Sequence, residues 1–212
     1  MPSMSRNFGE RPEPDAVIRD VEFFVGLLNP EAQARLVAEI RSVAEAAPVF
    51  SPQTRYGRPM SVRMTSAGAF GWFSDRKGYR YLDRHPTGVA WPPIPETALA
   101  VWRLLVPDGP DPECCLINYY GEGARMGMHQ DRDEADFRWP VVSLSLGDEA
   151  LFRIGGMARG GSTESRWLRS GDVVVMGGAA RLIHHGIDRI AFGSSALLPR
   201  GGRINLTLRV VR

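Results

Sequence analysis

A histidine and an aspartate two positions apart, His129 and Asp131, are the residues best suited to hold a metal ion. They lie at the end of a predicted short strand, and side chains two apart on a strand project from the same face. The pair would therefore aim one imidazole and one carboxylate at the same point. Because a His-x-Asp pattern also arises by chance at a surface strand end, this interpretation depends on a third ligand.

The third ligand must come from a small set, because the chain has four histidines, namely His85, His129, His184 and His185. Strand alternation points adjacent side chains in opposite directions, so at most one of His184 and His185 joins the pair and the other takes a surface or supporting role. His185, followed by Gly186, would end a strand with the ligand at its tip. Two imidazoles and one carboxylate suit ferrous iron and leave positions open for a substrate and dioxygen, whereas zinc would prefer thiolates or a third histidine.

The last predicted strand, 203–211, alternates polar and apolar residues, and its polar face carries Arg203, Asn205, Thr207 and Arg209. One interpretation is an outer strand with a solvated polar face. The other is a cradle for a dicarboxylic acid, because arginine makes paired, charge-assisted hydrogen bonds to carboxylates. Asn118 and Tyr120 share a face of an earlier strand and could offer an amide and a phenol to the same ligand, although the tyrosine could equally pack in the core.

The elements that must position these residues are mostly short strands. Asn29 followed by Pro30 predicts the start of a helix that runs to about residue 47, and a second helix is predicted over 95–106. A short strand or turn is expected over 17–25. The remaining strands follow one another without helices between them, which is typical of an antiparallel sandwich or barrel with helices on its flank: 114–120, 126–130, 141–146, 151–154, 166–168, 172–176, 182–185 and 203–211.

Composition narrows the class of protein. The chain has 212 residues, 43% of them hydrophobic, and a formal net charge of +2, which excludes a disordered chain and a uniformly basic surface. Cys114 and Cys115 are adjacent and suit neither a structural zinc site nor a disulfide framework, so we expect a reducing, cytoplasmic location. No apolar run approaches a membrane span, and residues 1–15 are polar and proline-rich, so we expect them to form a flexible tail.

A basic and aromatic segment lies between the two predicted helices. Residues 55–84 include seven basic residues against two acidic ones, so the segment is more positive than the whole chain. Basic side chains neutralise phosphates and aromatic faces stack on bases, so the segment favours nucleic acid. Core-packing aromatics with solvated arginines are the alternative. The aromatic residues are Tyr56, Phe70, Trp72, Phe73, Tyr79 and Tyr81.

Five ordered segments together resemble the iron(II)- and 2-oxoglutarate-dependent dioxygenases, and among them the AlkB family of nucleic-acid dealkylases. The segments are Asn118-x-Tyr120-x-x-Gly123, His129-x-Asp131-x-Asp133-Glu134, Gly171-Asp172-Val173-Val174-Val175, His185-Gly186-Ile187 and Arg203-x-Asn205-x-Thr207-x-Arg209. The resemblance implies a single domain over 16–212. Its double-stranded β-helix (jelly-roll) core would cover about 110–212, and a nucleotide-recognition lid about 48–94.

The resemblance also implies the chemistry and the site. Iron(II), 2-oxoglutarate and dioxygen would oxidise an N-alkyl carbon, releasing aldehyde, succinate and carbon dioxide and restoring the base. The expected substrates are 1-methyladenine and 3-methylcytosine lesions in single-stranded DNA or in a flipped base, with RNA a further candidate, and the enzyme is expected to be a monomer. The implied residues are His129, Asp131 and His185 for iron; Asn118, Tyr119, Tyr120, Arg203, Asn205 and Arg209 for 2-oxoglutarate; and Trp72, Tyr79, Tyr81, Asp133 and Arg159 for the substrate.

Two alternatives to a nucleic-acid dealkylase stay open at this stage. The same iron chemistry could hydroxylate a protein or a small molecule. A jelly roll could also be a non-catalytic binding module in which the His-x-Asp pair is incidental, because this fold hosts many functions.

Overall fold

The computed structural model describes residues 10–54 and 56–212, so most of the predicted tail, 1–9, lies outside the described residues. The described residues form helices α1 (Pro30–Ala46) and α2 (Glu96–Leu105), a 3-10 turn (Gly178–Ala180) and thirteen strands. The strands are β1 (Ala16–Ile18), β2 (Val21–Phe24), β3 (Val62–Gly68), β4 (Gly71–Asp75), β5 (Gly78–Leu82), β6 (Cys114–Tyr120), β7 (Met126–His129), β8 (Val141–Gly147), β9 (Glu149–Ile154), β10 (Glu164–Leu168), β11 (Val173–Met176), β12 (His185–Ala191) and β13 (Arg203–Arg209).

The start of helix α1 follows from its sequence. The side chain of Asn29 accepts a hydrogen bond from the backbone N–H of Ala32 at 2.9 Å, and Pro30 takes the first helical position. The apolar residues Leu36, Ile40 and Val43 then share one buried face. That face packs with Trp102 of α2 and with the major sheet, which confirms the predicted flanking helices.

Two antiparallel sheets form the core. The major sheet has seven strands in the order β1-β2-β11-β8-β13-β6-β3, and the minor sheet has four in the order β10-β9-β12-β7. Their facing side chains make one core cluster, in which Phe23 of the major sheet meets Phe152 of the minor sheet edge to face at 6.2 Å between ring centroids. A second cluster joins the other face of the major sheet to the helices. The predicted mainly-β architecture is confirmed.

Strand β13 lies between β8 and β6, in the interior of the major sheet, and all seven of its residues are buried. Its apolar face, including Leu206 and Leu208, packs on the helical side, so its polar face points between the two sheets. The interpretation of β13 as an outer strand with a solvated polar face is therefore wrong.

Two further features differ from the sequence-based expectation. The strand predicted over 182–185 begins instead at His185, because a 3-10 turn and the hydrogen bond from Ile183 N–H to the Ala180 carbonyl keep the preceding chain folded. Within segment 48–94, β3 is the edge strand of the major sheet, and β4 and β5 form a separate two-stranded sheet.

In the described part of the chain, no helix is long and apolar enough to cross a membrane.

Candidate active site

Three potential metal ligands meet at the inner face of the minor sheet. His129 ends β7 and His185 begins β12, and the two residues are direct cross-strand partners, with ring centroids 4.5 Å apart. Asp131 follows β7, and its two carboxylate oxygens lie 3.8 Å from the Nε2 atoms of His129 and His185, respectively. All three ligand atoms lie within 4.8 Å of one another, a span that one metal ion can bridge. The structure thus brings together the three residues predicted from the sequence.

Backbone carbonyls orient both imidazoles for metal binding. The Nδ1 atom of His129 lies 2.9 Å from the Gly127 carbonyl, and that of His185 lies 3.1 Å from the Ile183 carbonyl. Because a carbonyl only accepts, each Nδ1 carries the proton and each Nε2 keeps a free lone pair. Both Nε2 atoms face Asp131, so that one metal ion could bind all three side chains.

The protonation states also suit a cation. Burial, with the neighbouring His129, lowers the pKa of His185 to about 4, so its imidazole is neutral at physiological pH. Burial alone would raise the pKa of Asp131, but the charge of the neighbouring Arg209 guanidinium outweighs burial and holds that pKa below its usual range. The centre therefore offers two imidazole nitrogens and one anionic carboxylate oxygen, the donor set that suits ferrous iron.

A cavity of about 850 Å³ adjoins these ligands and opens between the two sheets. Strands β6 and β13 line one wall, where Asn118 pairs with Asn205 and Tyr120 pairs with Arg203 in the strand register. Arg209, at the other end of β13, donates from Nη2 to Asp131 Oδ2 at 3.0 Å. The predicted cradle thus runs from the metal centre to Arg203.

Several buried polar atoms of this wall have no hydrogen-bond partner among the described residues: Oδ1 of Asn118, Nε and Nη1 of Arg203, and Nη1 of Arg209. Arg203 is 1% exposed; its Nη2 donates to Ser145, yet no carboxylate of the described residues pairs with it. A buried guanidinium without a counter-ion is costly, and a carboxylate satisfies it with two hydrogen bonds. The residues present therefore fit a dicarboxylate such as 2-oxoglutarate.

Tyr119 does not reach this cavity. It alternates with Asn118 and Tyr120 along β6, so its side chain lies on the opposite face of the sheet. There its hydroxyl donates to the Gly201 carbonyl at 3.3 Å, and its ring lies 4.8 Å from the guanidinium of Arg63.

The β4–β5 hairpin adds an aromatic wall to the cavity. Trp72 and Tyr79 stack with their centroids 5.3 Å apart, and both line the cavity together with Asp133 and Arg159. The indole N–H of Trp72 donates to Asp133 at 3.0 Å, which links the hairpin to the segment that follows the metal ligands. Four of the five predicted substrate residues therefore surround one opening.

Tyr81 is placed differently from Tyr79. Its hydroxyl donates to Glu134, and it lies outside the residues that line the cavity. Glu134 is itself buried and pairs with Arg181 at 3.0 Å and with Arg209 at 3.3 Å. Tyr81 thus ties the hairpin to the ion pairs behind the metal centre.

Sequence reasoning gave no role to three residues that support the site. Arg181 donates to the Asp131 backbone carbonyl at 2.6 Å and to Glu134. Gln130, the middle residue of the His-x-Asp motif, donates to the Leu182 and Met157 carbonyls. Glu134 is the last residue of the motif that begins at His129, but the motif does not indicate its function. That function depends on its burial, and the burial of a charged residue leaves no sequence pattern.

The two antiparallel sheets face each other and hold two imidazoles and a carboxylate beside a basic cradle. This arrangement is typical of an iron- and 2-oxoglutarate-dependent oxygenase. In agreement, the model of the 2OG-Fe(II) oxygenase superfamily matches residues 20–209. The chain is also 53% identical over 201 residues to the alpha-ketoglutarate-dependent dioxygenase AlkB homolog of Caulobacter vibrioides (strain NA1000 / CB15N), with 94% of this chain and 91% of the relative covered.

The alpha-ketoglutarate-dependent dioxygenase AlkB of Escherichia coli (strain K12) is 40% identical over 183 residues, covering 84% of each chain. Among solved structures, that of OsALKBH1 superposes with a TM-score of 0.78 at 28% identity, covering 92% of this chain and 99% of the other. The chain belongs to the AlkB family of iron(II)- and 2-oxoglutarate-dependent dioxygenases. The predicted family, jelly-roll fold, enzyme class and cofactors are thereby confirmed.

Proposed function

We propose that this dioxygenase removes alkyl groups from N-alkylated bases in DNA, with 1-methyladenine and 3-methylcytosine as its characteristic substrates. The observation that carries the proposal is the aromatic wall of Trp72 and Tyr79, with Asp133 beside it, facing the cavity that holds the metal ligands. A base flipped into this cavity can stack on an aromatic face while its alkyl group approaches the metal centre.

The wall also favours damaged bases over normal ones. 1-Methyladenine and 3-methylcytosine are cationic at neutral pH, and cations are attracted to aromatic faces and to carboxylates such as that of Asp133. The lesion also weakens base pairing, so the base costs less to flip. The exposed basic residues Arg58, Arg76 and Lys77 are near the hairpin in sequence and supply charge for the phosphates.

Each group of residues has one role in this proposal. His129, Asp131 and His185 hold iron(II), and Asn118, Tyr120, Arg203, Asn205 and Arg209 hold 2-oxoglutarate. When bound, these cofactors supply the oxidation by dioxygen that hydroxylates the N-alkyl carbon, after which aldehyde leaves and the base is restored. Trp72, Tyr79, Asp133 and Arg159 orient the base, while Tyr81 supports the hairpin through Glu134. We include a monomeric state and a cytoplasmic location in the proposal, and the two free, buried cysteines support the latter.

The test supplies the enzyme with iron(II), ascorbate, 2-oxoglutarate and single-stranded oligonucleotides that contain 1-methyladenine or 3-methylcytosine. We expect formaldehyde and restored base in equal amounts. Trp72→Ala should lower kcat/KM by roughly tenfold to a hundredfold, because one stacked base contributes about 1–3 kcal/mol. Trp167→Ala, at an exposed tryptophan of β10, is the matched control and should behave as the wild type.

Parallel methylated RNA and unmethylated DNA show which nucleic acid is preferred. The proposal is wrong if no methylated oligonucleotide yields formaldehyde while the enzyme still converts 2-oxoglutarate to succinate. That outcome would favour a protein or small-molecule hydroxylase instead, and turnover of such a substrate should then be insensitive to Trp72→Ala.

A further inference from the structure

The loop between β9 and β10, residues 155–163, carries two side chains of the cavity wall, Met157 and Arg159. Both are exposed, so their neighbours fix them only weakly. Their position over the cavity therefore depends on what holds the loop backbone. The far side of the loop is held by a residue that lies more than a hundred positions earlier in the chain.

That residue is Arg19, in the turn between β1 and β2. Its Nη1 donates to the Gly155 carbonyl at 3.1 Å, its Nη2 donates to Ser162 Oγ at 3.0 Å, and its Nε donates to Glu164 at 2.9 Å. One planar guanidinium thus binds both the start and the end of the loop, and the rigid fork fixes the distance between them.

The backbone of this turn is unusual. Ile18 pairs with Val21, so Arg19 and Asp20 form a two-residue hairpin turn, and their φ angles are 51° and 62°. Turns of this kind favour glycine or asparagine, because a left-handed conformation is strained for other residues. Glycine would suit this turn better than arginine. The presence of an arginine there indicates that its side chain has a function.

The other anchors of the loop differ in kind. The backbone of His184 exchanges hydrogen bonds with Gly155 and Gly156 at the start of the loop. Gln130 donates to the Met157 carbonyl, and Arg153 of β9 donates to Thr163 at 3.0 Å. Gln130 lies between the metal ligands, and Arg153 lies on the strand that leads into the loop. Arg19 binds both loop ends from a different sheet, so it sets how the loop lies between the two sheets.

We infer that Arg19 is a positioning residue that holds Arg159 at the rim of the cavity and thereby increases affinity for the alkylated polynucleotide. The inference rests on the proposed function, in which Arg159 contacts the substrate. Arg19 touches neither the metal ligands nor the cosubstrate cradle. Its loss should therefore weaken oligonucleotide binding and leave iron binding, 2-oxoglutarate binding and kcat unchanged.

The test is a double-mutant cycle of Arg19→Gly and Arg159→Ala with a methylated single-stranded oligonucleotide. Glycine adopts the left-handed turn freely, so Arg19→Gly keeps the turn and removes the whole side chain with its guanidinium. We expect the KM for the oligonucleotide to rise roughly tenfold, the effect of losing about 1.4 kcal/mol of binding free energy. In the Arg159→Ala background the same substitution should change KM less than about twofold, because coupled residues are not additive.

Arg35→Ala serves as the control, since it removes an exposed arginine of α1 that pairs with Glu31 on the same helix. Arg19→Asn repeats the test with another residue that tolerates the turn. An unchanged KM in Arg19→Gly, or equal increases in both backgrounds, would overturn the inference and leave Arg19 a purely structural role. If the wild type itself releases no formaldehyde, the proposed function fails instead, so the two failures are distinguishable.

Discussion

The Nη2 atom of Arg209 lies 3.0 Å from Oδ2 of Asp131, and both side chains are buried. Strand β13 of the major sheet therefore supplies Arg209 as the counter-ion of Asp131, one of the metal ligands. This contact joins the cosubstrate cradle of β13 to the ligands of the minor sheet. It also explains why Asp131 stays ionised despite its burial.

Replacing Arg209 by methionine should destabilise the metal-free protein by about 3–5 kcal/mol, because removing one partner of a buried ion pair leaves an uncompensated charge. Urea unfolding of the chelator-treated protein measures the change. Arg138→Met is the matched control: Arg138 pairs with Asp136 at the surface, its side chain is 82% exposed, and the loss should stay below about 1 kcal/mol. Equal effects of the two substitutions would contradict the structural role given to Arg209.

The local pattern of the sequence predicts the parts of the site that lie on one strand. Alternation along β13 separates Arg209 from Leu208, and the same rule brings His129 and Asp131 to one face. Asn29 and Pro30 likewise mark the start of α1. Each of these inferences needs only neighbouring residues, and the structure agrees with each.

Contacts between distant segments could not be predicted in this way. The sequence pattern does not show that Arg181 and Glu134 form an ion pair behind the metal centre, because the two residues lie in loops far apart in the sequence that only the tertiary fold brings together. The start of β12 at His185 depends on the hydrogen bonds of the preceding turn. The face on which Tyr119 lies follows from alternation with Asn118, but family resemblance had placed both residues in one group.

Tyr81→Phe should lower the free energy of unfolding by about 1.5–3 kcal/mol, the usual contribution of a hydrogen bond to a charged group. Burial raises the pKa of the Tyr81 hydroxyl far above its usual value, so the hydroxyl keeps its proton and donates to Glu134. Tyr79→Phe is the control, because Tyr79 is 55% exposed and should lose almost no stability. A thermal shift of equal size in both variants would argue against the buried hydrogen bond.

The two thiols should be almost inert in the folded protein. Burial raises the pKa of Cys114 to about 12 and that of Cys115 well above its usual value. At pH 8 the thiolate fraction of Cys114 is then on the order of a thousandfold below that of a free cysteine, and the thiolate is the reactive form. A chromogenic disulfide reagent should detect both thiols only after denaturation in guanidinium. Rapid labelling of the native protein would show that this part of the sheet opens easily.

Gly186→Ala should disturb the metal centre through the backbone. Gly186 follows His185 in β12, and a Cβ atom there would lie 2.7 Å from the carbonyl oxygen of Met126 in the paired strand β7. Because backbone cannot move aside as a flexible side chain can, the two strands must separate, and with them His129 and His185. We expect a loss of about 1–3 kcal/mol in stability and weaker binding of iron(II), measured by anaerobic titration.

Gly127→Ala provides the matched comparison for this substitution. Gly127 lies on β7, the strand paired with β12, yet a Cβ atom at that position would have no heavy atom within 4 Å. Both substitutions add one methyl group to the same strand pair, so a difference between them isolates the steric effect at Gly186. If Gly186→Ala binds iron(II) as tightly as Gly127→Ala does, the spacing of β7 and β12 is not what holds the two histidines in place.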